Sequence, residues 1–568
     1  MRDHTLDGRF SITQTDRPRK GAGPLGAFGA LVRDPSLWYV FLMSQPWDTI
    51  VVGSGVGGLM AAASLVNAGL RVLVLERNPH PGGTAYVYRR KGFTFPMGPL
   101  GFSHPAFVQD HLRELGRGDL IDLVRVHYEI RAFGLEIPIS LTFPSMVEVL
   151  KTRFPSQKRG IERFFQVLER IITSFSDLRG ETNPSFPKDL AGTPASAYLD
   201  TLVTDRRLRR ILGSLGTHEP YSSLSLLAAM WNLMGKEGIW FPKQGMGSFC
   251  DLLAGAVSER THGEGAATSL KGPNIRRRGV GEIRFREEVL EIRVRGGTVQ
   301  GVTLRDGTRI DSSSVISNAD YKTTFLKLVS ARAVSEAWHR AVSGAPQTGS
   351  ILQVCLGVDA TRCDLAPFAK ASRILYRRNQ GGENPAWDAP EIEPRDLASQ
   401  ELEVSLWGKE EPVQGSHGKA AIVIRTEAEY SHFARFRMAA RERLPGYMDY
   451  KTRLGKALLR EAESLIPGLE SAVVVMDVAT PLTFEDQGGR SGGAVAGWSW
   501  DYEDCAENRP QELMRTPVKG LYMAGYQAFS ALFLGGVPTA MESGRRAAHA
   551  VLTEAPPVEE MRIPGAPR

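Results

Sequence analysis

Cysteine is scarce: four in 568 residues, Cys250, Cys355, Cys363 and Cys505. Four in a chain this long exclude a disulfide scaffold, and with no C-x-x-C neither a dithiol redox centre nor a cysteine-rich zinc site is expected. The 11 histidines are isolated, as at His80, His104 and His218, so no metal-ligand spacing arises. No G-x-S-x-G and no Cys/His pairing points to a hydrolytic nucleophile. No continuous apolar run reaches the roughly 20 residues of a membrane helix. Thr49–Leu70 and Gly520–Met541 come nearest, being free of charge, but both are studded with glycine and the second holds Pro538. The first stretch of chain is polar and has no apolar core, so no secretory leader is expected and the cytoplasm is the expected compartment. The formal net charge of +6 is small for this length, and the charges are scattered. That excludes a nucleic-acid partner and leaves a weak attraction to a membrane surface open. With 42 % hydrophobic residues the chain is too apolar for disorder.

The N-terminal part reads differently from the rest. A polar start leads to Gly21-Ala22-Gly23-Pro24-Leu25-Gly26 and the apolar run Leu37–Leu42. Residues 1–46 are expected to form an extension outside the fold, a membrane-contacting arm being the alternative. From Thr49 the pattern sharpens. Thr49–Val52 and Arg71–Glu76 are short apolar runs, as strands buried on both faces require. Leu59–Ala68 between them is an Ala/Leu helix ended by Gly69, which completes a minimal βαβ unit. Residues 105–240 read as helical. Residues 283–317 switch to period two, with turns at Gly296-Gly297 and Asp306-Gly307, and read as a β-meander closing on Val315–Asn318. Val473–Met476 and Leu521–Ala524 are further strands. Pro538 suits the first turn of a helix, where its missing N–H costs nothing.

Gly53-Ser54-Gly55-Val56-Gly57-Gly58 is G-x-G-x-x-G between a strand and a helix. Gly53 permits the tight turn, Gly55 lets the backbone approach a pyrophosphate, and Gly58 lets the helix pack on the strand. The helix N-terminus offers N–H groups to the phosphates. Glu76 ends the second strand, where a carboxylate accepts from a ribose hydroxyl. The upstream match Gly21/Gly23/Gly26 follows Asp16-Arg17-Pro18-Arg19-Lys20, which is no strand, and is chance. No second well-placed motif exists, so no bound NAD(P) is expected. Pro81-Gly82-Gly83 soon after Glu76 fits a chain folded over an extended FAD.

In this order the motifs resemble those of the FAD-dependent phytoene desaturase, carotenoid isomerase and retinol saturase family, within the amine-oxidase-like flavoproteins. The resemblance covers nearly all of 47–553. It rests on Val51–Gly58, Glu76-Arg77, Pro81-Gly82-Gly83, Gly92–Pro99, Phe241–Gly247, Gly301–Gly307 with Val315–Asp320, Thr480–Phe484, and Gly520–Gly525 with Gly535-Gly536-Val537-Pro538 and Ser543-Gly544-Arg545. It implies an α/β fold: a Rossmann-like FAD-binding domain built from discontinuous segments (47–104, 242–332 and 481–556) plus a mixed α+β substrate domain (105–241 and 333–480). It implies FAD held by Gly53, Gly55, Gly57, Gly58, Glu76, Arg77, Gly82, Gly83, Thr84, Val289, Gly525, Gly536 and Val537. Glu76 would hold the adenosine ribose, Val289 would lie against adenine, and Gly525 with Gly535–Pro538 would pass under the isoalloxazine. The chain departs from the pattern at three places. Pro96 and Tyr526 stand where relatives often carry charge. Thr84 stands where amine oxidases usually carry Arg, and tilts against an amine substrate. The insertion with Arg276-Arg277-Arg278 reads as a solvated loop.

No acid–base pair stands out, so the chemistry is expected to be the flavin's own, a hydride passing between N5 and a substrate carbon. The expected substrate is a long apolar isoprenoid or carotenoid-like molecule, desaturated or isomerised at C=C bonds. Saturation of such a bond and amine oxidation are the alternatives, and a structural or assembly role is the alternative of another class. Oxygen and a quinone both remain open as electron acceptor. Leu224–Trp240 is a candidate wall of the substrate tunnel, with ordinary helix core as the competing reading.

Overall fold

The computed structural model describes residues 46–139, 142–174, 193–213, 223–259, 279–377, 392–410, 418–438, 441–499, 511–530, 536–555 and 557. Apart from Pro46, the expected extension 1–46 lies outside the described residues, as do Arg276–Arg278, Cys505 and Gly535. The fold that follows belongs to the unit Trp47–Arg568.

Strand β1 (Thr49–Val52) is wholly buried, and every residue of β2 (Arg71–Glu76) after Arg71 is buried too. Helix α1 (Val56–Asn67) links them. Runs this apolar cannot face water on either side, and a parallel sheet covered by helices is their stable setting. The sheet is completed by β3 (Val280–Phe285), β4 (Val315–Ser317) and β5 (Leu521–Met523) in the order β5-β4-β1-β2-β3. All four pairings are parallel. The chain leaves β1 for β2 on one side and meets β4 on the other, so the order reverses at β1. The carboxyl ends of strands beside such a switch point form a ligand crevice. Gly53, Asn318 and Ala524-Gly525 emerge there.

Two further helices frame that crevice. Helix α2 (Pro481–Gly488) starts on a capping box between Thr480 and Thr483. Helix α3 (Gly536–Leu552) lies on α1, and the fit has no slack: a Cβ on Gly544 would stand 2.2 Å from the Gly57 carbonyl oxygen and 3.0 Å from the Ala61 nitrogen. Backbone cannot yield as a side chain can. Gly544→Val is therefore expected to force the helices apart and lower stability by about 1–3 kcal/mol, read as a lower urea midpoint of the apoprotein.

The second sheet has seven strands, in the order Val473–Ala479, Ser350–Asp359, Lys419–Ala428, Leu402–Trp407, Arg373–Arg377, Tyr128–Ala132 and Leu135–Pro138. A separate apolar core fills the space between this sheet and the helix Tyr447–Glu463. The sheet meets the segment after the strand Phe93–Pro96 through side-chain donors. Gln353 Nε2 donates to the Pro96 carbonyl at 3.2 Å, Arg425 donates to Gly98, and Arg373 Nη2 donates to Leu100 at 3.3 Å. Three donors thus hold alternate carbonyls of one stretch of chain.

Two expectations are corrected. Residues 105–240 are not all helical: Leu123–Val126, Tyr128–Ala132 and Leu135–Pro138 are strands. Tyr128-Glu129-Ile130-Arg131-Ala132 pairs back on itself through Phe133-Gly134, both at positive φ (55° and 74°), as a tight hairpin turn demands. Nor is 283–317 one meander. The antiparallel part spans Val289–Asp311, while the residues before and after it enter the parallel sheet as β3 and β4. A bulge between Val289 and Glu291 also leaves Leu290 facing outward, 43 % exposed, within the period-two run.

Candidate functional site

The turn after β1 is built on glycine for reasons now visible in distances. Gly53 has φ 93°, which suits no β-carbon-bearing residue. A Cβ on Gly58 would lie 2.2 Å from the Gly53 carbonyl oxygen, and one on Gly57 would lie 2.7 Å from the Gly525 nitrogen. Gly55 caps α1 in extended backbone, and a Cβ there would point at the Asn318 side chain, 2.6 Å from Nδ2. Gly82 and Gly83 close over the turn. Gly82 N–H donates to the Ser54 carbonyl at 2.7 Å, and Gly55 and Gly82 form an isolated parallel bridge. Beneath Gly82 lies Cys250, whose thiol burial pushes well up; it packs rather than reacts.

Glu76 is 4 % exposed at the end of β2. Its Oε2 accepts from Ser54 N–H and Ser54 Oγ, both at 2.8 Å, and its Oε1 accepts from Asn78 N–H at 2.8 Å. An ionised carboxylate has about four lone-pair sites, so one acceptor position is left for a hydroxyl. Backbone bonds from Glu287 N–H to Glu76 and from Arg286 N–H to Asn78 bring Val289 to the same end of the crevice. Arg77 is placed elsewhere: its Nη2 donates to the carbonyls of Asp486 and Gln487, where α2 ends.

At the other end, Gly525 (φ 98°) is pinned by α3, since its N–H donates to Ser543 Oγ at 2.8 Å. Thr539 lies one turn earlier on the same helix face, and its buried hydroxyl has no partner. Gly536 and Val537 begin the helix, with Gly536 facing the Tyr526 ring. Glu542 fixes α3 to the helix Pro105–Glu114 through His111 Nε2 at 2.9 Å, and also binds Arg545 and Arg546.

Four residues of this site were given no role by the motifs, although Ser54, Asn318 and Ser543 lie within them. Asn318 stands among Gly53, Gly55, Gly57, Gly58 and Gly525, with its Oδ1 buried and without a partner. Ser54 and Ser543 hold the two turns. Arg490 donates to Thr84 Oγ1 at 2.7 Å and lies beside Tyr526. Only the position of Asn318 at the end of a strand could have signalled its role. Arg490 brings a guanidinium to the side of Tyr526, one of the two positions where relatives often carry charge. The stretch Leu224–Trp240 contributes core: Trp231 is 1 % exposed, packs 5.3 Å from Phe165, and donates Nε1–H to the Leu212 carbonyl. Among the described residues no cluster of metal-ligating side chains occurs, and no helix is long and apolar enough to cross a membrane.

The arrangement fits an extended dinucleotide. A glycine cradle that any Cβ would fill, a buried acid with one free acceptor position at the end of β2, and two orphaned polar atoms (Asn318 Oδ1 and Thr539 Oγ1) suit a ligand of that kind. This defines a dinucleotide-binding oxidoreductase fold. Residues 56–361 match the flavin containing amine oxidoreductase family, and the chain belongs to it. It is similar to prolycopene isomerase 1 of an Oncidium hybrid, 24 % identical over 90 % of this chain and 84 % of the relative. It is similar to a lycopene-forming phytoene desaturase of Pseudescherichia vulneris, 27 % identical over 58 % of this chain and 67 % of the relative. An oxidoreductase from Methanosarcina mazei has the same fold, with a TM-score of 0.59 at 17 % identity over 88 % of this chain and 99 % of that one. The protein is a flavin-dependent oxidoreductase and its cofactor is FAD.

Proposed function

We propose that the protein acts on a long apolar isoprenoid of the carotenoid type, desaturating it or isomerising it at C=C bonds. The observation that carries this is a likeness to prolycopene isomerase along 90 % of the chain. In the same reading, segments 47–104, 242–332 and 481–556 hold FAD, and 105–241 with 333–480 enclose the substrate. Gly53, Gly55, Gly57 and Gly58 receive the diphosphate, with Gly82, Gly83 and Thr84 closing over it. Glu76 binds the ribose and Val289 flanks adenine. Gly525, Gly536 and Val537 border the isoalloxazine. The crevice acts by orienting the substrate and excluding water, and the bound flavin supplies hydride chemistry. A substrate of this class partitions into lipid, so contact with a membrane surface belongs to the proposal; the acceptor is oxygen or a quinone.

Thr84 speaks against an amine, since it stands where amine oxidases usually carry Arg, and a buried substrate ammonium would need a paired carboxylate or an aromatic cage. The test mixes anaerobic oxidised enzyme with phytoene-like polyenes in liposomes, and separately with primary and secondary amines. Flavin bleaching or a changed polyene isomer on chromatography is expected with polyenes. Rapid bleaching by amines, with every polyene unchanged, overturns the proposal.

A further inference from the structure

The cradle has a charge deficit. Gly53–Gly58, Gly82–Ala85, Asn318 and Gly525 supply N–H groups and a helix end but no cation, and Thr49–Leu70 has no charged residue at all. A diphosphate is doubly anionic. A helix N-terminus compensates about half a charge. Arg77, the nearest basic residue in the motif reading, is spent on the carbonyls that end α2.

Arg490 has the opposite deficit. Its guanidinium is held by neutral acceptors alone: Thr84 Oγ1 at 2.7 Å, the Val495 carbonyl at 2.7 Å and the Ala494 carbonyl at 3.3 Å. No carboxylate lies within ion-pair distance of it among the described residues. Asp320, the acid whose charge acts on it, is occupied in capping Thr323 N–H and in bonding Ser491 through N–H and Oγ. Burial lowers the guanidinium's affinity for its proton, and Tyr526 and Asp320 only partly offset this. Arg490 is half-buried, and a cation with reduced hydration and no counter-charge gains from a ligand that brings one.

The two deficits adjoin. Thr84 directly follows Gly83, where a Cβ would stand 3.4 Å from Gly55 Cα. Tyr526 directly follows Gly525, whose nitrogen abuts Gly57. Arg490 is fixed to the first of these residues and lies beside the second. Through these two residues Arg490 is tied to the two segments that pack on the first turn of α1. We propose that Arg490 is the counter-cation of the FAD diphosphate, delivered from the loop after α2 and aimed by Thr84. Asp320 is then a positioning residue, since it tethers Ser491 next to Arg490. The loop that carries Arg490 becomes part of the cofactor site, and Thr84 serves as its anchor.

This rests on the FAD reading, and the two can fail separately. Full-length apoprotein is titrated with FAD, followed by quenching of flavin fluorescence, and FAD is then displaced with ADP, which carries the adenosine and the diphosphate but no isoalloxazine. A wild-type protein that binds neither would fail the FAD reading itself. With Arg490→Met, FAD and ADP are expected to weaken by the same factor, about ten- to a hundredfold for a lost charge-assisted bond, with a flatter dependence on salt. Thr84→Arg in the Arg490→Met background is expected to recover ADP affinity by returning a guanidinium to the same place. Circular dichroism of each apoprotein checks the fold. If the methionine variant does not fold, Arg490→Gln, which keeps amide donors without charge, decides the same comparison. Unchanged ADP affinity in a folded variant overturns the proposal, whether or not FAD binding falls, because the cation would then face the ring or the substrate.

Discussion

Gly55→Val is expected to yield a folded protein without flavin. A Cβ at this position points at the far end of one side chain, the Asn318 amide, 2.6 Å away. That amide can rotate, so the backbone need not move and the apoprotein should keep its unfolding midpoint within a few degrees. The crevice does not survive the change. Asn318 is pushed from its place between Gly57 and Gly525, and the valine methyls enter the hollow between the first turn of α1 and Gly82-Gly83. FAD affinity should fall more than about a hundredfold, some 2.7 kcal/mol or more. Flavin absorbance of the purified protein and titration of the apoprotein read the effect. Gly58→Ala makes the contrast. There the new atom meets the Gly53 carbonyl oxygen at 2.2 Å, and backbone on backbone has no escape. That variant should lose stability together with FAD. A Gly55→Val protein that stays yellow would show that the diphosphate does not lie on this turn.

Arg425→Met is expected to cost about 1.5–3 kcal/mol, the range for hydrogen bonds to a charged group. Arg425 donates Nε–H to Gln353 Oε1 at 2.8 Å, donates to the Gly98 carbonyl, and faces Glu403, itself bonded by the Tyr128 hydroxyl at 3.0 Å. Methionine leaves the half-buried Glu403 carboxylate less well compensated and frees the Gly98 carbonyl. Gly98 has no room to shift, since a Cβ there would lie 2.6 Å from the Thr84 carbonyl oxygen. Loosening the sheet from residues 96–100 should therefore disturb Thr84, and with it FAD affinity, without touching the cradle. Urea unfolding measures the loss. Replacing both partners, Arg425→Met with Glu403→Leu, should recover much of it, because no lone charge is then left behind. Equal losses in the single and double variants would show that the pair is not what holds the segment.

Much of this was legible in the chain itself. The βαβ unit could be read because its signals are local: apolar runs of strand length, a glycine wherever a turn or a helix forbids a Cβ, and an acid at the end of the second strand. Those constraints act over about 20 residues and leave their mark in order along the sequence. The start of α3 at Gly536, with Pro538 in its first turn, was legible for the same reason. The hairpin at Phe133-Gly134 was not, because its flanking runs are short and lie among helices. The outward turn of Leu290 was not, because a single bulge shifts the register of an otherwise regular alternation.

The composition of the site was a different matter. That Gly55 and Gly58 bear no side chain is fixed in the sequence, but what they make room for is decided by Asn318 and Gly525, more than 250 residues away in the chain. The carbonyl ties from Gln353, Arg425 and Arg373 exist because strands distant in sequence become neighbours in a sheet. Thr84 and Tyr526 each read as the loss of a charge when taken alone. Tertiary structure restores one by bringing Arg490 to Thr84 across about 400 residues of chain. A guanidinium has no periodicity and no required neighbour in sequence. Its meaning comes from the dielectric around it and from the absence of a carboxylate beside it, and both are set only when the α2 loop closes on the crevice.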